Sequence, residues 1–236
     1  MKPTRSRPSL IVLLLTLAPA VFVLSVVVIA KMRGLVTFDV VMHDMATVAD
    51  VHPLSGFVSR LGLLVWAAAA AVSLFGAYFV YRLGSARAGF LLASGMLSLI
   101  MLVDDGFMVH ERLAVEYLGL SEKVTLGLIV MMAAAWLVAF RRSILEAGPF
   151  FLIMSVGMLG FSVFADVFIE GMAAPEYLHD WQSLLEDGPK FIGITLWLAF
   201  HAHAAFHFVS RAPATASRGL AMETRPRPYP EKRLTA

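Results

Sequence analysis

Apolar residues form six long runs along the chain, and charged residues are concentrated between these runs. Each run has close to the roughly 20 residues that an α-helix needs to cross a hydrocarbon core about 30 Å thick. Each is therefore predicted to be a transmembrane helix. The six predicted spans are Leu10 to Ala30, Leu61 to Tyr81, Ala88 to Val109, Val124 to Phe140, Pro149 to Ile169 and Pro189 to Val209.

The composition agrees with this pattern. Of 236 residues, 59% are hydrophobic and 15% are charged, and the mean hydropathy is +0.78. Soluble domains carry about 25% charged residues. No repeat is visible and several loops are short, which favours antiparallel neighbours. The predicted fold is all-α: residues 1–210 form one six-helix transmembrane bundle, and residues 211–236, rich in Pro and Arg, form a disordered basic cytoplasmic tail.

The distribution of charge predicts the orientation of the bundle. With the N-terminus inside, 13 of the 19 Lys and Arg residues lie in inner segments, and 14 of the 17 Asp and Glu residues lie in outer ones. The positive-inside rule then gives an N-in, C-in topology. We expect a multi-pass protein of a plasma membrane, such as a bacterial inner membrane, with membrane lipids and no nucleic acid as its contacts.

The segment between the first two spans has its own pattern. Its apolar residues recur at helical spacing, whereas Asp39, His43, Asp44 and Asp50 lie elsewhere on the turn. The apolar positions are Phe38, Val41, Met42, Met45 and Val48. This pattern predicts one amphipathic helix over residues 37–53, lying on the outer membrane surface.

Acidic residues occur where the third and fifth spans approach the outer surface. Asp104 lies 17 residues beyond Arg87, and Asp166 lies 17 residues beyond Pro149. At 1.5 Å per residue, both are about 26 Å from the inner end of the span. A carboxylate at that depth is costly unless it faces protein, water or a partner, so both are functional candidates.

Helical geometry relates these acids to one another. Asp104 and Glu111 are seven residues apart and are expected on one face. Asp105 follows the small residues Ser94 and Ser98, and should point into the bundle. On the fifth span, Asp166 follows the small residues Ser155 and Ser162, with Glu170 one turn further on. We expect the two small-residue faces to meet and to bring Asp104 or Asp105 close to Asp166.

The start of the sixth span adds further charged groups. Glu186 and Lys190 have the spacing of an ion pair within one helix. Asp187 or Gly188 is expected to cap a helix that begins at Pro189, and Ser121 to cap the fourth span. These residues would form a ring with His110 and Glu111 at the outer mouth of the bundle.

Carboxylates and imidazole from several helices are ligands for zinc, manganese or iron. The chain has no cysteine, so thiolate ligands are excluded. A metal-bound water could act as a nucleophile on a lipid-like substrate, or the metal could support oxidation of such a substrate. The candidate metal ligands are Asp104, Asp105, His110, Glu111, Asp166, Glu170, Glu186 and Asp187.

Other interpretations of the same acids stay open. The third and fifth spans contain neither His-Glu-x-x-His nor Glu-x-x-His, so no specific metal motif selects the enzyme interpretation. The acids could serve a proton- or cation-coupled carrier, or form a solvated surface on a non-catalytic accessory subunit. Three histidines lie further along the sixth span: His203 and His207 are expected at the inner interface, and His201 lies deeper, on the face of Lys190. The sequence assigns these histidines no role.

Overall fold

The computed structural model describes residues 10–43, 45–169 and 179–223, which form ten α-helices, one π-helical turn and no strand. The predicted all-helical class is confirmed over these residues. They divide into two compact units, one ending at Gly56 and the other beginning at Phe57.

The first unit contains α1 (Leu10–Met32), α2 (Phe38–Met42) and α3 (Met45–Val48). The prediction of one amphipathic helix over residues 37–53 is wrong, because the helix is interrupted at His43, whose backbone is extended with φ −90° and ψ 159°. The His43 Nδ1 atom lies 3.1 Å from the Asp39 carbonyl oxygen. A side chain that binds a carbonyl at a helix end competes with continuation of the helix. The apolar positions therefore belong to two short helices.

The second unit contains most of the apolar helices. These are α4 (Phe57–Arg82), α5 (Ala88–Phe107), α6 (Ala114–Leu118), α7 (Glu122–Ala139), α8 (Arg141–Ala147), α9 (Phe150–Ile169) and α10 (His179–Glu223). Among the described residues, α4, α5, α7 and the Asp187–Arg211 part of α10 are long and apolar enough to cross a membrane. The bent pair α8 and α9 is a fifth candidate. These four or five helices identify a membrane protein.

The bend between α8 and α9 has a local cause. Gly148 has φ +93°, a value that residues other than glycine rarely adopt, and Pro149 follows it. The two helices are consequently inclined at 114° to each other. The segment between the predicted fourth and fifth spans thus contains the additional short helix α8.

Small residues allow the spans to approach closely. A Cβ atom on Gly76 of α4 would lie 2.9 Å from the Ala205 Cβ atom on α10, and one on Gly193 of α10 would lie 2.7 Å from Leu159 of α9. Packing without bulky side chains is a common basis of helix association in membranes. In this unit α4 packs against both α5 and α10, and α10 packs against α9.

The expectation that the small-residue faces of α5 and α9 meet each other is wrong. Ser155 of α9 donates a hydrogen bond to the Gly193 carbonyl oxygen, 2.7 Å away on α10. Ser98 of α5 accepts one from the Trp197 indole N–H, at 2.9 Å, also on α10. Both faces therefore bind α10, and the sequence could not indicate that a third helix was their common partner.

Aromatic side chains fill the centre of the second unit. Trp197 contacts Trp66 and Trp136, with ring centroids 5.7 and 5.5 Å away. Phe90 stacks on Trp136 at 5.9 Å. These side chains come from α4, α5, α7 and α10 and are buried, so the aromatic cluster joins four helices in one core.

The two predicted helix starts have different outcomes. Ser121 caps α7, because its hydroxyl accepts a hydrogen bond from the Val124 N–H; that prediction is confirmed. The prediction that the helix of the sixth span begins at Pro189, capped by Asp187 or Gly188, is wrong, because α10 starts at His179 and Pro189 lies within it. The part of α10 that is long and apolar enough to cross a membrane, Asp187–Arg211, does begin close to the predicted start of the span. Pro189 provides no N–H for the Leu185 carbonyl, yet the helix continues through it. α10 also extends through residues 211–223 of the predicted tail; the rest of that tail lies outside the described residues.

Candidate functional site

A π-helical turn at the end of α5 brings His110 back onto Asp104. After Phe107 the backbone turns at Met108, which has φ 49° and ψ 48°, and the π-helical turn Val109–Leu113 follows. The His110 backbone N–H then donates to Asp104 Oδ1 at 3.0 Å, and His110 Nδ1 lies 2.7 Å from Asp104 Oδ2. A carboxylate only accepts hydrogen bonds, so Nδ1 carries a proton. We call this pair the Asp104–His110 dyad.

The dyad is shielded from solvent, with 8% of the Asp104 side chain and 17% of the His110 side chain exposed. Both Asp104 oxygens are engaged by His110, which fixes the orientation of the imidazole ring. The other ring nitrogen, Nε2, lies 3.7 Å from Glu111 Oε1. A histidine held at Nδ1 by a carboxylate is suited to act through Nε2, either as a general base or as a metal ligand.

The neighbouring residue, Asp105, forms a second pair with α10. Lys190 Nζ lies 2.5 Å from Asp105 Oδ1, and their side chains are 37% and 14% exposed. The prediction that Asp105 points into the bundle is confirmed. Its partner is Lys190, which the sequence had paired with Glu186. The two consecutive carboxylates on α5 therefore have different partners: Asp104 contacts His110, and Asp105 contacts Lys190.

A small cleft surrounds the Asp105–Lys190 pair. Asp187 lines it together with this pair and with Ser59 and Gly62 of α4. Its volume is about 20 Å³, which is enough for roughly one water molecule. Asp105, Lys190 and Asp187 thus line one cleft, which is too small for a lipid head group.

A larger groove opens between α5 and α7, with a volume of about 210 Å³. We call it the α5–α7 groove. Its walls are mostly apolar, and Asp104 belongs to them, so the groove reaches the dyad. The main lining residues are Ile100 and Asp104 from α5 and Thr125, Leu128, Ile129 and Met132 from α7.

The family model described as "Domain of unknown function (DUF8692)" matches residues 13–204 of the chain. The chain belongs to this family. The matched region includes the dyad, the Asp105–Lys190 pair and the α5–α7 groove. Comparison with curated proteins and with solved structures finds no match. The description of the DUF8692 family assigns no activity, so the function must be argued from the site.

The eight predicted metal ligands of this DUF8692 member have different outcomes. Asp104 and His110 are in contact, Glu111 is beside His110 Nε2, and Asp105 and Asp187 line one cleft. Asp166 and Glu186 lie in helices, but their side chains are outside the described part of the chain, as is all of Glu170. Within that described part, no three His, Asp or Glu side chains form a group that could hold a metal ion. The eight-residue metal site stays a prediction.

The expectation that Asp104 and Glu111 share a helix face is wrong. It assumed an uninterrupted α-helix, whereas the left-handed residue Met108 and the π-helical turn change the register between them. Asp104 is buried and Glu111 is exposed. The sequence holds one signal of this break, Gly106, two residues before the turn, but a single glycine does not predict a π-helical turn.

His201 is a buried histidine to which the sequence assigned no role. It lies in α10 against Trp197 and Trp136, with ring centroids 4.7 and 5.9 Å away. His201 Nδ1 lies 2.8 Å from the Trp197 carbonyl oxygen, so this nitrogen is the donor. His201 Nε2 is buried and has no hydrogen-bond partner among the described residues. His203 and His207 are one turn apart further along α10, with ring centroids separated by 6.4 Å.

Proposed function

We propose that the chain forms a bundle of six transmembrane helices, N-in and C-in, in a plasma membrane such as a bacterial inner membrane. The support is the position of α1, α4, α5, α7, α9 and α10 on the six apolar runs, together with the asymmetric distribution of Lys and Arg. In this topology the dyad and the Asp105–Lys190 pair lie at the outer ends of their spans. The site would then face the outside of the cell.

We propose further that the protein is an enzyme that hydrolyses a lipid-like substrate, with the Asp104–His110 dyad as its acid–base centre. The observation that carries this proposal is the 2.7 Å contact between Asp104 Oδ2 and His110 Nδ1 at the end of an apolar groove. Intramembrane acids are costly and rare outside functional sites. A carboxylate–imidazole pair beside an apolar groove combines acid–base chemistry with a surface for a lipid.

The proposed reaction uses His110 Nε2 as a general base. Nε2 takes a proton from a water molecule while the water oxygen forms a bond to the electrophilic carbon of the substrate. The imidazolium then gives this proton to the leaving group as its bond to that carbon breaks. Asp104 stabilises the imidazolium and keeps the ring oriented; general acid–base catalysis of this kind contributes about 10²- to 10⁴-fold.

A divalent metal is the alternative mechanism at the same centre. Histidines that bind metals usually have their second ring nitrogen hydrogen-bonded to a carboxylate or a carbonyl, as His110 Nδ1 is to Asp104. Zinc, manganese or iron at Nε2 would activate the water in place of the free base. The positively charged Lys190 ammonium group lies beside Asp105 and would repel a metal ion bound to that carboxylate. We therefore propose the metal-free mechanism first.

A proton- or cation-coupled carrier is the second candidate function. It is favoured by the part-buried Asp105–Lys190 ion pair between α5 and α10, because such a pair can open when one partner changes its charge. In liposomes, a carrier would move protons or cations without consuming lipid. An accessory subunit would do neither.

The decisive experiment incubates purified protein in nanodiscs with a total lipid extract and follows lipid consumption by mass spectrometry. We expect the wild-type protein to consume a lipid class and His110→Gln to leave it intact. The matched controls are Asp39→Asn and His43→Gln, because Asp39 and His43 are also an Asp–His pair, but an exposed one. Consumption that stops with a chelator and returns with zinc, manganese or iron selects the metal mechanism. Equal consumption by wild type and His110→Gln contradicts the proposal.

A further inference from the structure

The walls of the α5–α7 groove offer no free polar group to a ligand. Both Asp104 oxygens are bound by His110, and the Thr125 hydroxyl donates to the Ser121 carbonyl oxygen at 3.3 Å. The other main lining residues are apolar. Placing a polar group against such walls is costly, so the part of a ligand inside the groove must be hydrocarbon.

The dimensions of the groove limit how much hydrocarbon it can hold. Along α7 it extends from Thr125 to Met132, which at 1.5 Å per residue is about 10 Å. A volume of about 210 Å³ over that length gives a mean cross-section of about 20 Å². This is the width of one extended hydrocarbon chain. The walls of the groove therefore contact one chain of a lipid along this length.

The charges near the dyad limit the head group. In the segment from the π-helical turn to the first turn of α7, the acids Glu111, Glu116 and Glu122 outnumber the bases Arg112 and Lys123. All five side chains are exposed. A carboxylate or phosphate head group would meet an excess of negative charge, whereas a hydroxyl, amide, neutral ester or amine would not.

We propose that the α5–α7 groove binds a single-chain lipid whose head group carries no negative charge. The chain lies along Leu128 and Met132, and the head group lies at the Asp104 wall of the groove, next to the dyad. This inference rests on the proposed function and narrows the substrate of the same site to a single-chain ester or amide, because an alcohol or an amine has no bond that the proposed hydrolysis could break.

Photo-cross-linking tests this assignment directly. The probe is dodecanol with a diazirine in its chain, added to the full-length protein in nanodiscs and located by peptide mass spectrometry. We expect labelling of the α7 segment around Leu128 to Met132. Dodecanol and dodecylamine should compete at least tenfold better than dodecanoic acid and dodecyl phosphate. Preferential competition by either anionic lipid, or by a two-chain phospholipid, overturns the proposal.

Two variants of α7 separate a groove from general contact with lipid. Leu128→Trp places a large ring in the groove, whereas Val130→Trp places the same ring at an exposed α7 position that does not line it. We expect Leu128→Trp to reduce labelling at least tenfold and Val130→Trp to leave it within twofold. Equal labelling of both variants means that the probe labels any lipid-facing surface, which overturns the proposal.

The dyad variant distinguishes this inference from the proposed function. His110→Gln retains the walls of the groove, so it should be labelled like wild type while lipid consumption is lost. Normal labelling with unchanged consumption contradicts the proposed function alone. Absent labelling of wild type, with consumption that still depends on His110, contradicts the groove assignment alone.

Discussion

Lys190 on α10 and Asp105 on α5 form an ion pair with 2.5 Å between Nζ and Oδ1, although 85 positions separate them in the sequence. The pair links the two helices close to the Asp104–His110 dyad. Because Asp104 and Asp105 are consecutive, a shift of Asp105 relative to Lys190 would also displace Asp104 and with it the dyad.

Removing one partner of this pair should destabilise the protein. Lys190→Met leaves the Asp105 carboxylate without its cation in a largely buried position. Breaking a buried pair costs about 3–5 kcal/mol, and the partial exposure of Lys190 reduces our expectation to about 1–3 kcal/mol. The measurement is unfolding by denaturant in detergent micelles.

The pair between Arg87 and Glu146 is a suitable control. Its atoms also approach to 2.5 Å, but both side chains are more than a third exposed. Arg87→Met should therefore lower the free energy of unfolding less than Lys190→Met does. The double variant Lys190→Met with Asp105→Asn should recover part of the lost stability. Equal losses of unfolding free energy in Lys190→Met and Arg87→Met would contradict this account.

A comparison of two serines isolates one hydrogen bond between helices. Ser94 and Ser98 are both fully buried, and each hydroxyl donates to the carbonyl four residues earlier. Only Ser98 also accepts from Trp197. Ser98→Ala should therefore cost about 1 kcal/mol more than Ser94→Ala, within the range for interhelical hydrogen bonds in membranes. Denaturant unfolding of both variants measures the difference, and equal losses would refute it.

The lengths of the apolar runs predicted the long helices well, because a run that crosses a membrane must satisfy its backbone hydrogen bonds within one helix. Most observed ends lie within a few residues of the predicted ones, and Ser121 caps α7 as expected. Helix neighbours were not predictable in the same way. Ser98 and Ser155 marked two packing faces correctly, but only three-dimensional structure shows that both faces bind α10.

His201 should make the protein less stable than an apolar residue would. An unsatisfied buried polar group costs about 1–3 kcal/mol. His201→Phe removes the unpartnered Nε2 atom and retains a flat ring beside Trp197. We therefore expect this variant to unfold at a higher temperature than wild type. His203→Phe, at an exposed position on the same helix, should change little; a lower melting temperature for His201→Phe would show that Nε2 is satisfied in the membrane.

The absence of cysteine from the sequence allows a clean test of topology. Glu116→Cys places a thiol on α6, predicted to be outside, and Arg141→Cys places one on α8, predicted to be inside. Both positions are exposed. An impermeant maleimide should label the first in right-side-out vesicles and the second only in inside-out vesicles. The reverse pattern would contradict the N-in, C-in orientation.

The candidate site was less predictable than the helices. The sequence marked Asp104, Asp105 and His110 as candidates, because charged residues are costly at the depth of a span. It paired them incorrectly, since the α-helical register was extended past Met108. The close approach of His110 to Asp104 depends on a left-handed residue and a π-helical turn, which follow from no simple pattern. Lys190 was recognised as a partner for acids, but its partner on another helix could not be identified.

The most direct test of the central claim is whether Asp104 and His110 act as one catalytic unit. Initial rates of lipid consumption should be measured for Asp104→Asn, His110→Gln and the double variant, with Asp39→Asn and His43→Gln as controls. We predict that His110→Gln is slower by about 100-fold or more, and that the double variant is no slower than His110→Gln, because residues acting as a unit are non-additive. Rates equal to wild type in both dyad variants, or independent losses that multiply in the double variant, would contradict the account.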